Sequence, residues 1–123
     1  MPRKKRSEDV EYQGGEKYGK KDGFGIMYFV SGKWNEDRYE GEFRSNYKNG
    51  KGIYYYSGGE RYEGEWKENK KHGKGACYWP NGDWREGEFY KNKLHGFALF
   101  HNSNGEIEEQ VYDNGKIVDS KRK

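Results

Sequence analysis

Tyr62-Glu63-Gly64-Glu65-Trp66, followed by His72-Gly73-Lys74-Gly75 and then Pro80-Asn81-Gly82, is one copy of a unit that recurs through the chain. Its opening returns as Tyr39-Glu40-Gly41-Glu42-Phe43 on one side and as Arg85-Glu86-Gly87-Glu88-Phe89 on the other. The later glycines keep phase: Gly50 and Gly52 match Gly73 and Gly75, and Gly59 matches Gly82 and Gly105. The spacing is 23 residues from Tyr39 to Tyr62, to Arg85 and to Glu108. A fixed period in this range marks an array of small units, none of which buries a face alone.

Within each unit the pattern is that of two strands. Tyr62, Gly64 and Trp66 alternate with Glu63 and Glu65, the period of a strand with two unlike faces. Lys67 to His72 is expected to be a polar connection, with the second strand beginning near Gly73 or Lys74 and continuing through Cys77 and Trp79. Pro80-Asn81-Gly82, Ser57-Gly58-Gly59 and Ser103-Asn104-Gly105 are tight-turn sequences. Strands at this spacing predict an all-β chain of antiparallel hairpins. The units run 12–38, 39–61, 62–84 and 85–107, with a fragment over 108–118. The first carries four extra residues, assigned to Asn35-Glu36-Asp37-Arg38. The fragment leaves room for a short helix over Ile107 to Val118. Basic tails flank the array over 1–11 and 119–123.

Composition agrees with a thin, ordered sheet. The chain has 123 residues, with 15 aliphatic or sulfur-bearing apolar side chains against 22 aromatics. Disordered chains are poor in aromatics, and here they recur in phase with glycine. Strand glycines weaken a sheet unless something lies against the bare backbone, and an aromatic ring from a neighbouring strand does this. The net charge is +3, but Arg3, Lys4, Lys5, Arg6 and Lys121, Arg122, Lys123 carry seven positive charges at the two ends. The remaining body has 17 basic residues against 21 acidic ones. That sign does not suit a nucleic-acid platform. A single cysteine, Cys77, excludes a disulfide framework and fits a reducing compartment. No stretch is apolar enough for a membrane helix or a secretory signal, so a soluble, cytoplasmic protein without a lipid anchor is expected.

No catalytic, metal or cofactor constellation stands out. His72 and His95 share one repeat position, also held by Asp22 and Asn49, as expected of a polar loop-ending residue. The pairs Glu40/Glu42, Glu63/Glu65 and Glu86/Glu88 recur in three units, which suits a solvated strand face rather than catalytic carboxylates. The phosphate-loop and dinucleotide fingerprints are absent. Cys77 stands where Tyr54 and Phe100 stand in other units and is expected to be core filler.

The units resemble MORN repeats, whose pattern is Tyr-x-Gly-x-aromatic, a polar loop, then Gly-x-Gly and a turn glycine. The resemblance spans Tyr12 to Tyr112 and is fullest over Tyr62 to Gly75. The ends depart from it: Glu16 replaces an aromatic, Arg85 a Tyr, Ala98 a Gly, Glu108 a Tyr and Gln110 a Gly. Degenerate ends suit capping units. The resemblance implies an elongated, single-layer, twisted antiparallel sheet and a non-enzymatic scaffold or adaptor, with cytoskeletal, ciliary or flagellar assemblies as the setting.

A one-layer sheet leaves both faces uncovered, and exposed apolar patches mark interaction sites. One face is expected to carry Tyr39, Phe43, Tyr54, Tyr56, Tyr62, Trp66, Trp79, Phe89 and Phe100, as the surface for a protein partner laid down as an amphipathic helix or extended segment. The other face is expected to carry Ile53, Tyr55, Ala76, Tyr78 and Leu99 beside the glutamates. The alternative is a peripheral membrane tether, its basic ends binding acidic phospholipid.

Overall fold

A computed structural model of the protein describes residues 10–30 and 36–122. Every connection in it is short, so each strand pairs with the next in sequence. Ten strands form one sheet in the order β1 to β10: β1 (Val10–Lys17), β2 (Lys20–Phe29), β3 (Arg38–Arg44), β4 (Tyr47–Tyr55), β5 (Arg61–Lys67), β6 (Lys70–Tyr78), β7 (Trp84–Tyr90), β8 (Lys93–His101), β9 (Ile107–Asp113) and β10 (Lys116–Arg122). All neighbours are antiparallel. Among the described residues there is no helix.

The sequence places several boundaries differently. Lys67 to His72 is almost all strand, and only Glu68 and Asn69 turn the chain. Both have positive φ, 49° and 71°, the conformation of a two-residue hairpin turn whose twist matches the flanking strands. Ser45-Asn46 and Lys91-Asn92 do the same in the adjacent units. The polarity of this run belongs to exposed strand ends, not to a long loop. The segment Ile107 to Val118 is strand as well, since Asn114-Gly115 is a hairpin turn between β9 and β10. β1 begins at Val10 and β10 continues to Arg122, so strands extend into both stretches set aside as tails. The four extra residues of the first unit lie earlier than expected. Phe29 N donates to Asp37 O at 3.0 Å, as Tyr56 N donates to Glu60 O at 2.9 Å, so the insertion falls between Phe29 and Asp37. Arg38 is a regular repeat position opposite Tyr55.

A track of glycines crosses the sheet. Gly14, Gly25, Gly41, Gly52, Gly64, Gly75 and Gly87 are aligned strand to strand and are continued by Ala98, Gln110 and Ser120. The ring of Tyr39 lies on Gly52, that of Tyr62 on Gly75 and that of Tyr12 on Gly25, so that a Cβ at any of these glycines would fall inside the ring's contact distance. Each hydroxyl then donates to the backbone three residues on: Tyr39 to Glu42 O at 3.0 Å, Tyr62 to Glu65 O at 2.9 Å and Tyr12 to Gly15 O at 2.6 Å. The first-strand glycines have a different reason. A Cβ on Gly64 would meet the Cα of the facing Gly75 at 2.5 Å, so these strands approach too closely for side chains.

Units are also tied by side chains that repeat with the same period. Asn46 Oδ1 accepts from Lys21 N, Asn69 Oδ1 from Lys48 N and Asn92 Oδ1 from Lys71 N, each at 2.9 Å. The backbone N–H of each of these asparagines returns a bond to the carbonyl of the same lysine. Each of these three turns is thereby clamped to the strand of the preceding unit.

Candidate functional site

The aromatic face packs mainly on itself. Its rings form an edge-to-face chain, Tyr12–Phe43–Tyr39–Trp66–Tyr62–Phe89, with centroids 5.1–5.4 Å apart and planes at 82–89°. Such pairs add about 0.5–1.5 kcal/mol each beyond area burial. Tyr39 and Tyr62 are fully enclosed, with 0% exposure. Of the nine aromatics expected to hold a partner, Tyr39, Phe43, Tyr54, Tyr62, Trp66 and Phe89 are buried, and only Tyr56, Trp79 and Phe100 keep partial exposure. The physical reason is that large rings on adjacent strands reach far enough to cover one another without a second layer. Lysines complete the cover. Lys48 Nζ lies 5.3–5.6 Å from the ring centroids of Tyr39, Tyr54 and Trp66, and Lys71 Nζ lies 5.0–5.9 Å from those of Tyr56, Tyr62 and Phe89. These contacts are cation–π interactions. Burial lowers the Lys48 pKa to about 8. Burial likewise pushes the Tyr39, Tyr54 and Tyr62 hydroxyls well above the ordinary phenol range. The Cys77 thiol is raised for the same reason, which fits filler rather than a reactive group.

The zipper stops at unit four. Arg85 takes the tyrosine place, its guanidinium 5.2 Å from Trp79, 5.1 Å from Phe100 and 5.6 Å from Tyr112. Its Nε donates to Gln110 Oε1 at 3.2 Å, Tyr112 OH donates to the same oxygen at 2.8 Å, and Gln110 Nε2 donates to Glu108 at 2.6 Å. Ala98 fits opposite Gly87 because no tyrosine ring descends there.

The repeated histidine position has a structural use. Asp22 Oδ2 accepts from Ser45 N at 3.2 Å, Asn49 Oδ1 from Glu68 N at 3.3 Å and His95 Nδ1 from Asn114 N at 3.1 Å. Each caps the next unit's hairpin turn. Two of the glutamates accept from the backbone of the paired strand: Glu65 Oε1 from Lys74 N at 2.9 Å and Glu42 Oε2 from Lys51 N at 3.3 Å. Among the described residues no three His, Cys, Asp or Glu side chains are grouped to hold a metal ion, and no helix is long and apolar enough to cross a membrane.

The opposite face is the open one. Along one edge, strand register aligns Tyr28, Arg38, Tyr55, Arg61, Tyr78, Trp84 and His101. Arg38 lies 4.0 Å above the Tyr55 ring and Arg61 3.9 Å above Tyr78. Trp84 stacks on His101 at 3.7 Å and 4°. Glu40 Oε2 is 2.7 Å from Arg38 Nε but out of line for a hydrogen bond, so that pair is an electrostatic contact. His101 Nε2 lies 2.8 Å from Glu86 Oε2.

Beside this ladder a trough of about 760 Å³ crosses β5 to β10. One wall is the aligned row Glu63, Ala76, Glu86, Leu99, Glu109 and Lys121. The other contains Lys74, Glu88, Phe97, Val111 and Asp119, and the floor is the backbone of Gly75, Gly87, Ala98, Gln110 and Ser120. Phe97 is 78% exposed. The lining has five acidic side chains against two basic ones. Alternation in the sequence puts Ala76 and Leu99 on this face, where no partner-binding residue is expected. The signal was there, because Glu63, Glu86 and Glu109 are themselves 23 apart. Of the basic ends, Arg3 to Arg6 lie outside the described residues, whereas Lys121 faces Glu109 in register and Arg122 Nη1 is 3.6 Å from Glu106 Oε2.

Comparison with curated proteins gives no match. The family model for the MORN repeat matches residues 12–34, 39–61, 62–84 and 86–107. These spans follow the units defined by the 23-residue period, leaving out residues 35–38 and 85. With most of its length matched, the chain belongs to the MORN-repeat family.

Proposed function

We propose that the protein is a non-enzymatic adaptor that holds a segment of a protein partner across its sheet. The observation that carries this is the trough on the glutamate face, where Ala76, Leu99, Phe97 and Val111 share its two walls with five acidic side chains. Exposed apolar surface rimmed by charge is the ordinary form of a docking site. MORN arrays are interaction modules, and the repeats occupy the chain from Tyr12 to Ile107. On the aromatic face, Tyr56, Trp79 and Phe100 are the members of the expected set with surface left for a partner. The resemblance to stand-alone arrays favours a cytoskeletal or ciliary assembly as the setting. The test is cross-linking mass spectrometry on the protein isolated from its own cells, alongside the Phe97→Asp/Leu99→Asp variant. Cross-links from Lys74 and Lys121 to one segment of one protein, lost in the variant while sheet circular dichroism persists, are the expected result. Capture of that protein undiminished by the variant would reject the trough as the site. Binding to acidic vesicles that survives the variant and vanishes when residues 1–9 are removed would favour the tether.

A further inference from the structure

The two walls of the trough impose a spacing on whatever lies in it. Glu63, Glu86 and Glu109 stand on β5, β7 and β9, two strands apart each time. Adjacent strands are about 4.8 Å apart, so these carboxylates repeat at about 9.6 Å. The walls are two residues apart along each strand, about 6.8 Å. An α-helix, about 10–12 Å across with its side chains, does not sink between such walls. Its nearest match, one residue every seven, advances about 10.5 Å and falls out of step by about 2 Å over the three glutamates. A β-strand turns every third side chain to the opposite side. A polyproline-II segment has three residues per turn and rises about 3.1 Å per residue, so every third side chain returns to the same side after about 9.3 Å.

On this basis we propose, resting on the adaptor function above, that the trough receives a polyproline-II segment of the partner with Lys or Arg at every third position. The cations meet Glu63, Glu86 and Glu109, and intervening pyrrolidine rings turn away from that wall toward Phe97 and Val111 on the other. Glu88, which has no hydrogen bond or ion pair among the described residues, adds negative charge opposite, beside the exposed Phe97. The acidic excess of the lining supplies the charge complementarity, and the segment's preformed conformation lowers the ordering cost of binding.

The test uses the full chain and synthetic peptides. One peptide carries lysine at every third position of a proline-rich 13-mer. A second has the same composition with lysines at every second and fourth position, and a third is a helical peptide with lysine every seventh residue. Affinities are read by fluorescence anisotropy at about 0.05 M salt, and the contact surface by backbone amide NMR shifts. The third-position peptide is expected to bind at least five-fold more tightly than either other peptide and to shift the amides of Gly87 and Ala98. Glu63→Gln and Glu88→Gln, neither of which removes a close hydrogen bond, are each expected to weaken it several-fold. Equal binding of the spaced and mis-spaced peptides, tighter binding of the helical one, or shifts confined to the aromatic face would overturn the proposal. Failure here is separable from failure of the adaptor function. If capture of the cellular partner still depends on Phe97 and Leu99, only the spacing argument falls.

Discussion

A methyl group placed on Gly75 would occupy the position of the Tyr62 ring. That ring is fully enclosed, makes edge-to-face contacts at 5.1 Å with both Trp66 and Phe89, and donates its hydroxyl to Glu65 O at 2.9 Å. Forcing extra volume into a packed site costs about 1–3 kcal/mol. If the ring moves, two aromatic contacts of about 0.5–1.5 kcal/mol each and a hydrogen bond of about 1 kcal/mol are weakened. Gly75→Ala is therefore expected to cost about 3 kcal/mol, although alanine is the better strand residue by about 0.5–1 kcal/mol in backbone entropy. In a Tyr62→Ala background the collision is gone, and the same change should cost less than about 1 kcal/mol. A double-mutant cycle read by urea unfolding should thus give a coupling of about 2 kcal/mol or more. With a slope near 2 kcal/mol per molar urea, the single variant's midpoint moves down by about 1.5 M. An equal loss in both backgrounds would refute the ring-on-glycine account and point to the backbone approach of β5 and β6 as the sole constraint.

The fourth unit supplies the converse experiment: Arg85→Tyr alone should destabilise by about 1–3 kcal/mol against Ala98, whereas Arg85→Tyr with Ala98→Gly should recover at least that loss, both read by thermal melts. Asn69→Ala removes an inter-unit bond to Lys48 N and strains a residue at φ 71°, so unfolding should become easier by about 1–2 kcal/mol. Lys48, lowered to about 8 when folded from the usual 10.5, binds its proton more tightly in the unfolded chain. Stability should accordingly rise with pH between about 8 and 10, by no more than about 1.4 kcal/mol per unit, and Lys48→Met should flatten that slope. Above pH 10 the raised tyrosine hydroxyls work the other way, because the unfolded chain loses those protons first, and stability should fall.

Period and alternation made the strand order legible, because a strand pair every 23 residues with turn residues between leaves little choice of connection. Gly52 and Gly75 declared ring contacts through the tyrosines beside them. Lys48 and Lys71 did not declare their place over the aromatic rings. They lie in polar runs that suggest loops, whereas the strands continue through them and set Lys48 opposite Phe43 and Lys71 opposite Trp66. The burial of Tyr39 and Trp66 was hidden for another reason, since a one-layer sheet suggests open faces until the reach of its side chains is known. The trough depends on which glutamate stands beside which across strands, a relation set by register rather than by neighbours in sequence.

The asparagine clamps bear on how the array can change in length. Each joins a turn only to the lysine strand of the unit before it, and the edge-to-face rings likewise reach only to the adjacent unit. A duplicated stretch of residues 62–84 would find both of its neighbours already complementary. It would lengthen the sheet by two strands, about 9.6 Å, and add one more carboxylate to the row. The molecule is in this sense a ruler graduated in whole repeats, along which a longer partner segment is matched by copying a unit rather than by redesigning a surface.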